Sequence, residues 1–169
     1  MKKAFLLALG AAVLSAFSIN QSAQAQTAEF ADAKYAGIGK TALGAMQSGD
    51  IDKWASMFAE NARYYWSSGD SLIGKGAIAD FWKKRRADVL ESITFSSDIW
   101  LAVKVNEPQQ AVQTPGVWLL GWYLINAKYK TGKSMTQWTH VDLHFDSHDK
   151  VDQLIQYIDR VPINAATSN

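Results

Sequence analysis

No cysteine occurs in this chain of 169 residues, and only three prolines and three histidines do. Without cysteine there is no disulfide framework, no thiolate nucleophile, no sulfur ligand for a metal and no lipid-modified cysteine anchor. Charge of one sign is lacking too: 17 basic residues face 16 acidic ones. That balance gives no electrostatic footprint for nucleic acid. The one basic run, Lys83-Lys84-Arg85-Arg86, reads as the solvated side of a helix. Nor is any apolar run long enough to span a bilayer, which takes about 20 residues.

The apolar run that is present, Ala4 to Phe17, follows Lys2-Lys3 and leads to Ala23-Gln24-Ala25. A positive start, a short apolar stretch and an A-x-A site make a secretory signal peptide. The expected organisation is therefore 1–25 signal peptide, cleaved after Ala25, and 26–169 a single domain that is exported, periplasmic or secreted, with no stable membrane anchor. Without Lys2 and Lys3, 15 basic residues remain against 16 acidic ones. A domain of this size buries roughly 68–70% of its unfolded surface and can hold together without staples. Seven tryptophans are the notable excess. They need a large core, a cavity wall or an interface to cover them.

Periodicity orders the rest. Phe30, Ile38, Ala42 and Met46 recur at helical spacing over Thr27 to Ser48. Gly49 breaks that helix, and Asp50 caps a second with Ile51, Trp54 and Phe58 on one face. Ala62 to Trp66 reads as a strand and Ser67 to Asp70 as a turn. A third helix, about Lys75 to Leu90, carries Ile78, Phe81, Trp82 and Val89 as its apolar stripe. Four strands follow, at Ser92–Val105, Val117–Tyr129, Ser134–Phe145 and Lys150–Arg160, with the first alternating strictly through Ile93, Phe95, Ile99, Leu101, Val103 and Val105. Helices early and strands late predict an α+β domain. Its form is a cone: a strongly curved antiparallel (mixed) sheet wrapped around three N-terminal helices.

SGDIDKWASMFAENARYYWSSGDSLIGKGAIADFW, with the later Val141-Asp142-Leu143 strand turning into Lys150-Val151, resembles the nuclear transport factor 2-like superfamily and its SnoaL-like branch. The resemblance spans about Thr27 to Arg160 and implies the ketosteroid isomerase-type cone fold. The function it implies is open, since that fold serves isomerases, dehydratases, epoxide hydrolases, cyclases and binding domains. Matched position by position, the isomerase base falls on Trp66, its oxyanion tyrosine on Ala42 and its protonated acid on Val141, beside Asp142. The last-strand aspartate of limonene epoxide hydrolase falls on Gln156. Neither catalytic set is matched, so whether the chain is an enzyme stays undecided. The resemblance also implies that a ligand pocket would be lined by Tyr64, Trp66, Phe81, Tyr123 (or Trp122), Leu154, Gln156 and Ile158.

The histidines gather in TQWTHVDLHFDSHDK, Thr136 to Lys150. His140, Asp142 and His144 alternate and so share one face of a strand. The two histidines would lie about 13 Å apart, too far to share one zinc at bonds near ~2.1 Å, and no metal or other cofactor is expected. His140 and Asp142 remain the catalytic candidates, as a proton-transfer pair. Val141, Leu143 and Phe145 claim the inside, however, which turns the polar row outward. Trp138, His140, Asp142 and His144 then form a face for a second copy, and a homodimer is expected. Three functions stand open: binding of a small apolar or aromatic molecule in the cone, an isomerase, dehydratase or cyclase using His140/Asp142 or pocket tyrosines, and a dimeric interaction module with a filled cone.

Overall fold

The computed structural model describes residues 27–108 and 114–168. The signal-peptide reading of residues 1–25 lies outside them. A short strand β1 (Ala28–Phe30) opens the domain, then helices α1 (Lys34–Ser48) and α2 (Ile51–Ala55), strands β2 (Phe58–Trp66) and β3 (Ser71–Ile73), and helix α3 (Lys75–Asp88). Strands β4 (Leu90–Val105), β5 (Gly116–Tyr129), β6 (Ser134–Phe145) and β7 (Val151–Tyr157) follow, and helix α4 (Arg160–Thr167) closes the chain. The sheet runs β1-β4-β5-β6-β7-β2-β3, antiparallel except where β2 lies parallel to β7. This is the expected α+β cone, curved but not closed, with α1 to α3 against its concave face.

Local chemistry accounts for the helix boundaries. Gly49 ends α1 in the left-handed conformation (φ 82°), its N–H bonding back to Met46 while the Asp50 N–H reaches Ala45. Asp50 then caps α2 by accepting from the Lys53 N–H at 3.0 Å. The buried stripe of α1 is Tyr35, Gly39, Ala42, Ala45 and Met46, mostly small, which lets the helix lie close on the sheet. At the start of α1, Lys34 and the Tyr35 hydroxyl both bind Asp149 at 2.6 Å, tying the helix to the β6–β7 turn.

Four expectations need correction. Thr27 to Ser48 is not one helix, because Ala28–Phe30 pairs with Val103–Val105 as β1. Phe58 is not on α2, which stops at Ala55; it begins β2, four residues ahead of the expected start. The last strand ends at Tyr157 rather than Arg160, because Asp159 caps α4 by accepting from the Val161 N–H. The strict alternation of β4 also fails. Between the pairs Ser96–Leu124 and Ile99–Trp122, β4 spends one more residue than β5, and Ser97 takes φ 56°. This β-bulge reverses the facing of everything after it. Ile93 and Phe95 still point into the cone, but Ile99 and Leu101 point out, at 57% and 38% exposed. Trp100 turns inward in their place.

Candidate functional site

The concave face is aromatic from end to end, and its cavity falls into two parts. At the inner end a space of about 60 Å³ is enclosed by α1, α2, α3 and the sheet, among them Tyr64, Trp82, Trp100, Tyr123, Leu154 and Gln156. That volume holds a few waters and no organic ligand of ordinary size. Trp100 is the main reason. Its indole slides between Gly39 of α1 and Gly121 of β5, where an added Cβ would stand 2.8 and 2.2 Å from the ring. Asp98, on the bulge, holds the indole N–H at 2.7 Å. The bulge, the two glycines and the tryptophan together act as a plug.

The second part lies at the mouth, between α3, the sheet and α4, and measures about 300 Å³. Trp66, Phe81, Trp82 and Ile158 supply apolar wall; Arg85, Tyr129, Gln156, Arg160 and Asn164 supply polar groups. The size is at the lower limit for a small-molecule site, and the mixture of aromatic wall with few polar groups is what such sites have. Gln156 and Trp82 belong to both parts. The Gln156 Oε1 accepts from the Tyr64 hydroxyl at 2.7 Å and from the Trp66 indole N–H at 3.1 Å. An indole nitrogen only donates, so this contact fixes the amide orientation. The Trp82 N–H is buried and has no hydrogen-bond partner among the described residues.

The seven residues expected to line a pocket therefore divide. Tyr64, Tyr123 and Leu154 stand at the inner end, Trp66, Phe81 and Ile158 at the mouth, and Gln156 at both. The register puts Tyr123, not Trp122, on the concave side. Burial pushes Tyr64 and Tyr123 far above the usual tyrosine range, while Arg85 pulls Tyr64 slightly back. Tyr129, fully buried, is also raised by burial, with Arg85 opposing through charge and a hydrogen bond. Neither part of the cavity is lined by Asp, Glu or His. Trp82, Trp100, Arg85, Tyr129, Arg160 and Asn164 escaped the sequence reading. Arg85 was within reach of it: Phe81, Trp82 and Arg85 fall at i, i+1 and i+4, on one side of α3.

His140, Asp142 and His144 lie on the convex face. Their cross-strand neighbours form rows: Ile99–Trp122–His140–Tyr157, then Leu101–Leu120–Asp142–Ile155, then Val103–Trp118–His144–Gln153. His140 is stacked between Trp122 and Tyr157, at 4.5 and 5.5 Å between ring centres, and its Nδ1 faces the Gly121 carbonyl at 3.0 Å. Its Nε2 is 2.8 Å from Asp142 Oδ1, but off the line of a hydrogen bond, so that oxygen has a neighbour and no directed donor. Burial raises the Asp142 carboxyl above its usual range, with His140 partly opposing. His144 is more firmly held. Its Nδ1 meets Asp152 at 2.5 Å and its Nε2 the Pro115 carbonyl at 3.0 Å. Both partners are acceptors, so this geometry is satisfied when both ring nitrogens carry protons. His144 thus joins the start of β5 to β7. Trp138, in the same face, is 53% exposed. Among the described residues no three His, Asp or Glu side chains converge as a metal site.

No protein-family model and no curated protein matches the sequence. Solved structures do match in shape. A nuclear transport factor 2-like protein of unknown function from Burkholderia pseudomallei aligns at 10% identity over 82% of this chain and 100% of its own, with a TM-score of 0.63. A protein of ketosteroid isomerase-like fold from Catenulispora acidiphila, solved with trimethylamine, aligns at 11% identity over 77% and 91%, with a TM-score of 0.57. An epoxide hydrolase of Mycobacterium tuberculosis resembling limonene epoxide hydrolase aligns at 11% identity over 78% and 86%, with a TM-score of 0.55. The chain has the nuclear transport factor 2-like, ketosteroid isomerase-like cone fold.

Proposed function

We propose that this chain is an exported protein that binds a small, largely apolar molecule at the mouth of its cone. The observation that carries the reading is the mouth cavity of about 300 Å³, walled by Trp66, Phe81 and Trp82 and open beside Gln156. Binding is favoured over proton-transfer chemistry because the cavity lining has no Asp, Glu or His, and its tyrosines are pushed away from neutral pH by burial. A His140/Asp142 reaction would have to run on the opposite side of the sheet from any ligand held there. Export rests on the order of Lys2-Lys3, the apolar run to Phe17 and Ala23-Gln24-Ala25.

Titration of the processed protein with naphthalene, followed by tryptophan fluorescence, tests the binding reading. Saturable quenching that Phe81→Ala weakens is the expected result; no saturable response to any apolar probe refutes it. A chain recovered from the periplasm or medium should begin at Gln26, and one retaining residues 1–25 in the cytoplasm refutes export.

The reading extends to a pair of copies joined through the convex face. Ile99, Leu101, Trp138 and Tyr157 leave apolar surface exposed around a polar row of which only His144 is buried, and contiguous exposed apolar surface marks interaction sites. Sedimentation should give a dimer that Trp138→Glu turns into a folded monomer. A wild-type monomer at high micromolar concentration would rule the pairing out.

A further inference from the structure

The mouth differs from the rest of the concave face in its charge. Two guanidinium groups, Arg85 and Arg160, line it, and no carboxylate does. Arg160 is already occupied: it reaches outward to Asp70, with Nη1 to Oδ2 at 2.6 Å. Arg85 has no carboxylate partner among the described residues. It donates toward the Tyr129 hydroxyl and acts on Tyr64 through charge alone, both neutral partners. The basic run on α3 therefore divides by direction. Lys83 and Lys84 point to solvent and pair with Asp52 and Asp88, while Arg85 turns to the cavity.

Other donors share that wall. The Gln156 Oε1 is used twice over by Tyr64 and Trp66, and this orientation leaves the amide NH2 for another acceptor. The buried Trp82 N–H lacks an acceptor. The Asn164 amide stands on the α4 side. A mouth with surplus donors, one guanidinium that has no carboxylate partner and no acid suits a ligand that brings acceptors and negative charge. Guanidinium binds carboxylate through two parallel hydrogen bonds, strengthened where water is partly excluded. The aromatic wall of Trp66, Phe81 and Trp82 suits an apolar body attached to that head.

We infer that the ligand of the mouth is a small apolar monocarboxylate, its carboxylate on Arg85 and its body against Trp66 and Phe81. The inference rests on the binding reading above and adds the head group to it. The test compares phenylacetate with its neutral counterpart phenylacetamide by calorimetry, in wild-type protein and in Arg85→Gln and Arg85→Lys, with thermal midpoints checking the fold of each. The expected result is tighter binding of phenylacetate by about tenfold or more, an advantage lost in Arg85→Gln and only partly kept in Arg85→Lys, which retains charge without the fork. Equal affinity for the two probes overturns the inference and leaves the apolar pocket standing. So does a phenylacetate advantage that survives Arg85→Gln, and so does naphthalene binding where neither probe binds. Failure of all three compounds overturns the pocket reading and this inference with it.

Discussion

The inner end and the mouth of the cone are built from the same sheet face and share Trp82, Ile93, Ile125 and Gln156, yet they have opposite characters. One is about 60 Å³ and nearly all apolar; the other is about 300 Å³ and holds two arginines, a tyrosine and an asparagine. The difference comes from what blocks each end. A tryptophan wedged between two glycines fills the first. A single eight-residue helix, α4, flanks the second. The interior of such a fold is thus not one pocket to be judged open or filled. It is filled where stability is gained and open where a ligand would enter.

The strongest way to break this contrast is Trp100→Ala. Removing a large aromatic from a packed interior should cost about 3–5 kcal/mol and leave the inner end hollow. Denaturant unfolding measures the cost, and the inner end should then admit a benzene-sized probe that the wild type refuses. A loss below about 1 kcal/mol would mean that Trp100 is no plug. A smaller effect distinguishes the tyrosines by pH. Burial holds Tyr64, Tyr123 and Tyr129 protonated in the folded state at a pH where the unfolded chain ionises. Their contribution is complete below about pH 10 and is lost as pH rises beyond it. Spectrophotometric titration should find Tyr123 silent until unfolding. In Arg85→Gln, Tyr129 should titrate later than in wild type while Tyr123 is unchanged; an equal response from both would erase the electrostatic difference between the ends. The least effect belongs to Arg160→Gln. Its pair with Asp70 is exposed on both sides, so the loss should be about 0–1 kcal/mol and should vanish in molar salt.

The tryptophans illustrate how far the sequence could be read. Their number called for a core, a cavity wall or an interface, and the structure uses them on both faces: Trp54, Trp66, Trp82 and Trp100 within the cone, Trp118, Trp122 and Trp138 on the convex side. For β5 and β6 the assignment was legible, because a short turn at Thr131-Gly132 locks their register and alternation does the rest. It fixed Val141 and Leu143 inside and His140 and Asp142 outside. For β4 it was not. A bulge is a backbone event, and no residue type between Ser96 and Ile99 demands it. The start of α1 misled because β1 is only three residues long and owes its strand to pairing with β4, a contact 75 residues away at Glu29–Lys104. Helix α4 had a signal that went unused: Asp159 as a capping residue, followed by Pro162 in the first turn, where a missing N–H costs nothing.

The bulge at Ser97 acts as a one-residue frame shift in three dimensions. Upstream of it the chain's alternation is in one phase, downstream in the other. Deleting Ser97 would remove the bulge yet keep the arrangement it sets: Ser96–Leu124 and Ile99–Trp122 would stand two steps apart on both strands, and Trp100 would still face inward opposite Gly121. Had Ser97 instead been paired like its neighbours, Ile99 and Leu101 rather than the indole of Trp100 would be aimed at the space between the Gly39 and Gly121 backbones. Which side chains fill the inner end is therefore decided by where the backbone absorbs one residue, a choice that the side chains on either side of it do not announce.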